Sequence, residues 1–242
     1  MSALELVIAV VVVFWAYIVR GIAGFGSALV AVPLLGLIAP LPVVVPVVVA
    51  LDLMGSASQA VQNRSEIVWP DLYPLIPFTL IGIGGALTLY SMLNPTDLAV
   101  ALGFFVIVYA VYQVLPLPEL RASRVIAIPY GMLGGLIGTM FGTGGPFYIM
   151  YLGMRGLPKG ALRASFAAYF VADGGVRLLG FAAFGHLTID SFILFAVGIP
   201  SVFLALRIGE RIHIGLEQRQ FKQLMSVLLV CSGIALIAKS GV

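Results

Sequence analysis

The sequence predicts an all-α polytopic membrane protein made of two inverted-topology repeats. Each repeat is a glycine-broken or re-entrant helix pair followed by three transmembrane helices. Three observations lead there: a shortage of charge, apolar runs almost end to end, and a motif that returns at a fixed offset.

Of the 242 residues, 61% are hydrophobic and only 10% charged, with a mean hydropathy of +1.13. A soluble domain carries about a quarter charged residues because it must cover a water-facing surface. This chain cannot cover one. A spanning helix needs roughly 20 apolar residues, and apolar segments run at about 4–19, 22–38, 42–61, 72–92, 97–116, 125–140, 144–154, 161–184, 189–206 and 220–238. They do not alternate polar with apolar residues as barrel strands do, so they read as helices. The 28 glycines and 14 prolines fall largely inside these runs, where neighbouring segments in a membrane can satisfy the freed backbone groups.

In chain order, MSALELVIAV lacks a basic n-region and a small-residue cleavage site, so the N-terminus reads as the first membrane segment. Asn94-Pro95 and Ser123 are helix starts, and Leu117-Pro118-Glu119 opens a polar central linker. No stretch looks like a soluble domain. The chain reads as a single transmembrane domain, residues 1–242, with one repeat at about 1–117 and the second at about 118–242. The repeat is visible where Gly24–Pro40 lies over Gly142–Pro158 at a constant offset of 118, matching Gly24 with Gly142, Gly26 with Gly144 and Pro40 with Pro158. A helix with one internal acid follows in each copy (Asp52, Asp173), then a short polar turn and two more helices.

Loop charges orient the halves. If each Gly-rich segment and the helix before it made a single crossing, Arg64, Arg121, Arg124 and Lys239 would oppose Arg155, Lys159, Arg163, Arg207, Arg211, Arg219 and Lys222. If residues 4–36 and 125–154 each enter the membrane and return to the same side, only Lys239 is left opposite the rest. The positive-inside effect favours the second arrangement, with those loops cytoplasmic and both termini outside. The halves are then inverted. Each leg of such a pair has about 15 residues, roughly 22 Å of helix, short of the hydrocarbon thickness of about 30 Å. The pairs are therefore expected to tilt steeply or to turn at glycine inside the membrane, and the internal turn is the favoured form.

The two glycine turns carry the functional expectation. Gly21–Ser27 and Gly138–Gly145 each break a helix and restart one, and a restarted helix points unpaired N–H groups and the positive end of its dipole at the turn. Gly24, Gly26 and Ser27 with Gly142, Thr143, Gly144 and Gly145 are the expected anion-binding residues, the two turns approaching each other near the midplane. The competing account is that these glycines only let helices pack closely. Arg20, just before the first turn, would supply a guanidinium for an oxyanion, or else snorkel to an interface. Arg163 is a further substrate-binding candidate.

Asp173 and Arg177 lie four apart on one helix and share a face. They read as a structural pair, with a substrate or proton role as the alternative. Asp52 must face the protein interior, where it could take up a coupling proton, and Gln59 on the same face would line the path. His186 and His213 read as solvated loop histidines. Cys231 stands alone, so one chain has neither a disulfide framework nor a Cys-based metal site. No residues have metal-ligand or hydrolytic spacing, and the glycine turns lack the Walker lysine pattern. No cofactor, no metal, no nucleic-acid partner and no enzymatic activity are expected.

The run from Gly24-Phe-Gly26 to Val32-Pro33-Leu34-Leu35, its second copy, and Pro158-Lys-Gly-Ala-Leu-Arg163-Ala-Ser165 together resemble the sulfite exporter TauE/SafE family. The resemblance extends to Glu217–Phe221 and the LLVCSGIALI stretch after it. The chain departs from the family pattern in Ser27-Ala28, where glycines usually continue, and in Tyr151, where proline is usual. The resemblance implies a bacterial inner-membrane secondary transporter of sulfite or an organosulfonate such as sulfoacetate. An anion channel using the same site and a membrane subunit of a larger complex are the alternatives. A homodimer surrounded by lipid is expected on the general ground that small carriers often pair.

Overall fold

A computed structural model describes residues 3–115, 121–212 and 218–241. The central linker at Leu117–Glu119, His213 and Glu217 lie outside the described residues. The helices are α1 (Ala3–Ala23), α2 (Ser27–Gly36), α3 (Leu41–Gln62), α4 (Trp69–Leu72), α5 (Leu75–Met92), α6 (Pro95–Val114), α7 (Ala127–Phe141), α8 (Gly145–Met154), α9 (Lys159–Ala183), α10 (Ile189–Arg211) and α11 (Gln218–Lys239). Among the described residues, seven helical stretches are long and apolar enough to cross a membrane. The chain is an integral, multi-pass helical membrane protein. Asn94 caps α6 with Pro95 in its first turn, and Ser123 precedes the short 3-10 turn leading into α7, as the sequence indicates.

The helices group into two compact units, and neither is a sequence half: one holds Met1–Val44, Leu93–Pro118 and Ile189–Val242, the other Val45–Met92 and Glu119–Thr188. In the first unit α1 packs along α10. A Cβ on Gly21 would stand 2.8 Å from the Gly209 Cα, so only glycine permits this crossing. Lipid tails are as apolar as leucine, and membrane helices therefore associate through close backbone approach and interhelical hydrogen bonds. The α6–α11 pair uses both. Gly103 lies against Gly233 and Ile237, while Gln113 donates to Ser226 at 2.7 Å and Ser226 donates to the Ala110 carbonyl at 3.0 Å. Contacts that rise in number on α6 fall on α11, so these two helices are antiparallel. At the end of α2, the Lys239 ammonium donates to the carbonyls of Gly36 and Leu37, the negative end of that helix dipole.

In the second unit α5 and α7 run parallel. Gly131 meets Leu75 and Phe78, and Gly135 meets Thr79 and Ile83. Thr79 donates to the Gly131 carbonyl at 3.2 Å, and Tyr169 of α9 donates to the Thr79 hydroxyl at 2.6 Å.

The broken pairs differ from expectation in their proportions. The sequence suggests equal legs of about 15 residues. Instead α1 runs 21 residues and α7 runs 15, while α2 and α8 have 10 each. The correction has a local cause. Arg20 does not interrupt α1, because its head group finds partners within the unit; the helix ends only at Gly24 and Gly26, whose φ values of 86° and 95° leave the helical region. Each second leg is about 15 Å long, half the hydrocarbon thickness of about 30 Å.

The α7–α8 pair enters and returns to the same side of its unit. Asp71, at the start of the α4–α5 segment, accepts from Arg124 Nε at 2.9 Å before α7 and from Arg155 Nε at 3.0 Å after α8. The Ala122 N–H also bonds the Met154 carbonyl at 3.0 Å. One nearly buried carboxylate thus ties the two ends of the hairpin together.

Candidate anion site

At the first turn, Ala23 ends α1, Gly24 donates back to the Arg20 carbonyl, and Ser27 opens α2. Arg20 is only 2% exposed. Its Nη1 donates to the Ser27 hydroxyl at 3.4 Å, and its guanidinium carbon lies 5.9 Å from the Tyr17 ring centroid, within cation–π range. Snorkelling is therefore not its role: the head group is held inward. Gly21, one residue on, packs against Gly209, within a turn of the exposed Arg207 and Arg211 of α10. Gly21 to Gly26 are only half-buried.

The second turn is more enclosed. Phe141 to Pro146 are all buried. Gly142 ends α7 in the left-handed region at φ 71° and donates to the Gly138 carbonyl at 2.9 Å, and α8 restarts at Gly145. Against this turn lies Arg177 of α9, which has no exposed surface. Its Nη2 stands 2.6 Å from Asp173 Oδ2 and donates to the Gly134 carbonyl at 3.0 Å and the Tyr148 hydroxyl at 3.2 Å. Tyr148 in turn donates to Asp173 Oδ1 at 3.1 Å. The Asp173–Arg177 pair of the sequence is thus a fully buried ion pair that joins α9 to α7 and α8.

Gly138 leaves the space this arginine fills, and Gly144 packs against both the Gly134 carbonyl and the same guanidinium. A Cβ at Gly138 would overlap the guanidinium, and one at Gly144 would come within 2.6 Å of Nη2. These glycines leave room for a cation beside the N-terminus of α8. Even so, Arg177 Nε and Nη1, Asp173 Oδ2 and the hydroxyls of Thr139 and Thr143 are buried with no hydrogen-bond partner. Buried polar groups in that state cost about 1–3 kcal/mol each.

Other candidates fall as follows. Asp52 is 2% exposed and faces inward as expected, with the buried Ser56 and half-buried Gln59 further along the same helix. Arg163 is exposed, one turn before Phe166, whose ring underlies Gly145. His186 is less solvated than its loop position suggests. It packs edge-on to Tyr90 at 5.1 Å and lies 3.3 Å from the Ser91 hydroxyl; desolvation lowers its pKa below the ordinary 6.5.

Sequence reasoning missed the nearness of Arg177 to the second turn, the buried hydroxyl of Thr139 beside it, and Asp71 altogether. A buried arginine needs small neighbours, so Gly138 and Gly144 were the available signal for the first. Asp71 has none, because its partners stand far along the chain.

The model of the family described as "Sulfite exporter TauE/SafE" matches residues 9–236. The chain belongs to the sulfite exporter TauE/SafE family. A curated relative of this TauE/SafE chain, described as "Probable inner membrane transporter protein TsaS" from Comamonas testosteroni, is 24% identical over 195 residues, covering 78% of this chain and 80% of the relative. No solved structure matches it.

Proposed function

We propose that this chain is a secondary active transporter that moves a small sulfur-containing anion, sulfite or an organosulfonate, by alternating access. The observation that carries the reading is the second glycine turn, buried from Phe141 to Pro146 with unpartnered donors from Thr139, Thr143 and Arg177. Family membership supplies the class of cargo.

In this reading Gly142, Thr143, Gly144 and Gly145 receive the anionic head at one turn. Gly24, Gly26 and Ser27 serve in the same way at the other, with Arg20 supplying charge and Arg163 drawing anions toward the pore from outside the turn. Asp173 and Asp52 are the groups able to carry a coupled proton, since both are buried acids on membrane helices. Two findings support an inverted repeat. Equivalent helices α6 and α11 are antiparallel, and the first helix of each repeat pairs with the fourth of the other, α1 with α10 and α5 with α7. Cytoplasmic basic loops, extracytoplasmic termini and a homodimer in the bacterial inner membrane complete the proposal.

The deciding experiment uses proteoliposomes holding the purified chain. A carrier preloaded with unlabelled sulfite should accelerate uptake of labelled sulfite and saturate. Flux without counterflow would replace the carrier by a channel, and absence of any sulfur-anion flux would remove the functional reading.

A further inference from the structure

We propose that Arg177, Thr139 and Thr143 form an oxyanion subsite at the second glycine turn that selects a singly charged ligand, such as a sulfonate or hydrogensulfite, over a dianion. This deepens the transporter reading above and rests on it.

The donor inventory comes first. Arg177 has only donors; its Nη2 donates to the Gly134 carbonyl and the Tyr148 hydroxyl and stands beside Asp173 Oδ2, while Nε and Nη1 are buried without a partner. Thr139 and Thr143 are 0% and 1% exposed, and their hydroxyls have no partner either. All three side chains border Gly138–Gly145, and α8 starts at the same place, where the Phe147 amide donates to the Gly144 carbonyl at 3.2 Å and the Gly145 amide precedes any intrahelical acceptor. Pro146 has no amide N–H to offer, so the side chains supply much of what the backbone gives elsewhere. The ligand that fits is rich in acceptors and has no donors of its own at the bound end. Three oxygens on one sulfur meet that description.

Charge decides between candidates. Asp173 sits 2.6 Å from Arg177 and already neutralises it. The positive N-terminus of α8, worth about half an elementary charge, is offset by the negative C-terminus of α7, which ends at the same turn. A monoanion therefore brings one uncompensated charge into the buried turn and a dianion two, and isolated buried charge is costly. Sequence inspection places the burden on Arg20; the unpartnered donors move it to α7 and α9.

The test measures binding of isethionate, a monoanionic sulfonate, and of sulfate to the purified full-length chain by calorimetry, with Thr139→Val, Thr143→Val and the corresponding Thr→Ser variants. Valine keeps the shape and deletes the hydroxyl, which keeps the fold intact where an Arg177 variant could lose it. The expected result is isethionate bound at least tenfold tighter than sulfate. Each valine variant should weaken it about tenfold, and each serine variant should bind as the parent does. If the parent binds isethionate or transports sulfite but both valine variants bind it equally well, this subsite is wrong and the transporter reading stands. Equal affinity for sulfate overturns the selection by charge. If neither isethionate nor sulfite is bound, the subsite and the functional reading fall together.

Discussion

At the residue scale, a buried arginine is tolerable only where its neighbours are built around it. Arg177 reaches Asp173, Tyr148 and the Gly134 carbonyl because positions 138 and 144 carry no side chain. Removing one member of a buried ion pair leaves the other uncompensated and costs about 3–5 kcal/mol. Asp173→Asn should therefore lower the midpoint of thermal unfolding in detergent by several degrees, and Gly144→Ala should do the same by pushing on the Gly134 carbonyl and the guanidinium. Gly142→Ala acts through the backbone instead. A side chain at φ 71° is disfavoured by about 1–2 kcal/mol, so a smaller loss is expected in the same assay.

At the element scale, the α7–α8 hairpin is held closed by Asp71 with Arg124 and Arg155. Asp71→Asn should free residues 121–124, seen as faster proteolysis there while the rest of the chain stays protected. The α1–α10 crossing depends on Gly21 and Gly209, whose backbones leave no space for a Cβ. Gly21→Val should cost about 1–3 kcal/mol through overpacking, visible as a lower unfolding midpoint. The turn after α9 carries a pH response. His186 has its pKa lowered by desolvation, so the folded turn prefers the neutral ring. Its stabilising contribution is present above the ordinary histidine range and is lost as pH falls through the lowered value. Between pH 7 and 5 the parent should lose thermal stability that His186→Gln does not lose.

At the scale of the whole molecule, the proposed alternating access is a function that no single helix can report. α1 packs with α10 and α5 with α7, so each compact unit is assembled from both halves of the sequence. A mutation in one repeat should therefore affect packing in the unit that also contains parts of the other. Arg20→Ala checks whether both turns serve transport: a loss of sulfite counterflow comparable to that of Thr143→Val would assign a role to each turn, and unchanged flux would remove Arg20.

The membrane class, the helix positions and the two glycine turns were legible in the chain, because apolar length and helix-breaking glycine are local properties. The inward placement of Asp52 followed as well, from the cost of exposing an acid to lipid. The Asp173–Arg177 pairing was legible for the same kind of reason, since four residues is one helical turn. Tertiary structure decided which glycines were turns and which were sockets. Gly142 is needed for its φ, whereas Gly138 and Gly144 are needed for the space that Arg177 fills. It also decided that Arg20 stays inside α1 and that Asp71 closes a hairpin. Those outcomes depend on partners tens of residues away, and a linear pattern does not encode the distance between residues that only folding brings together.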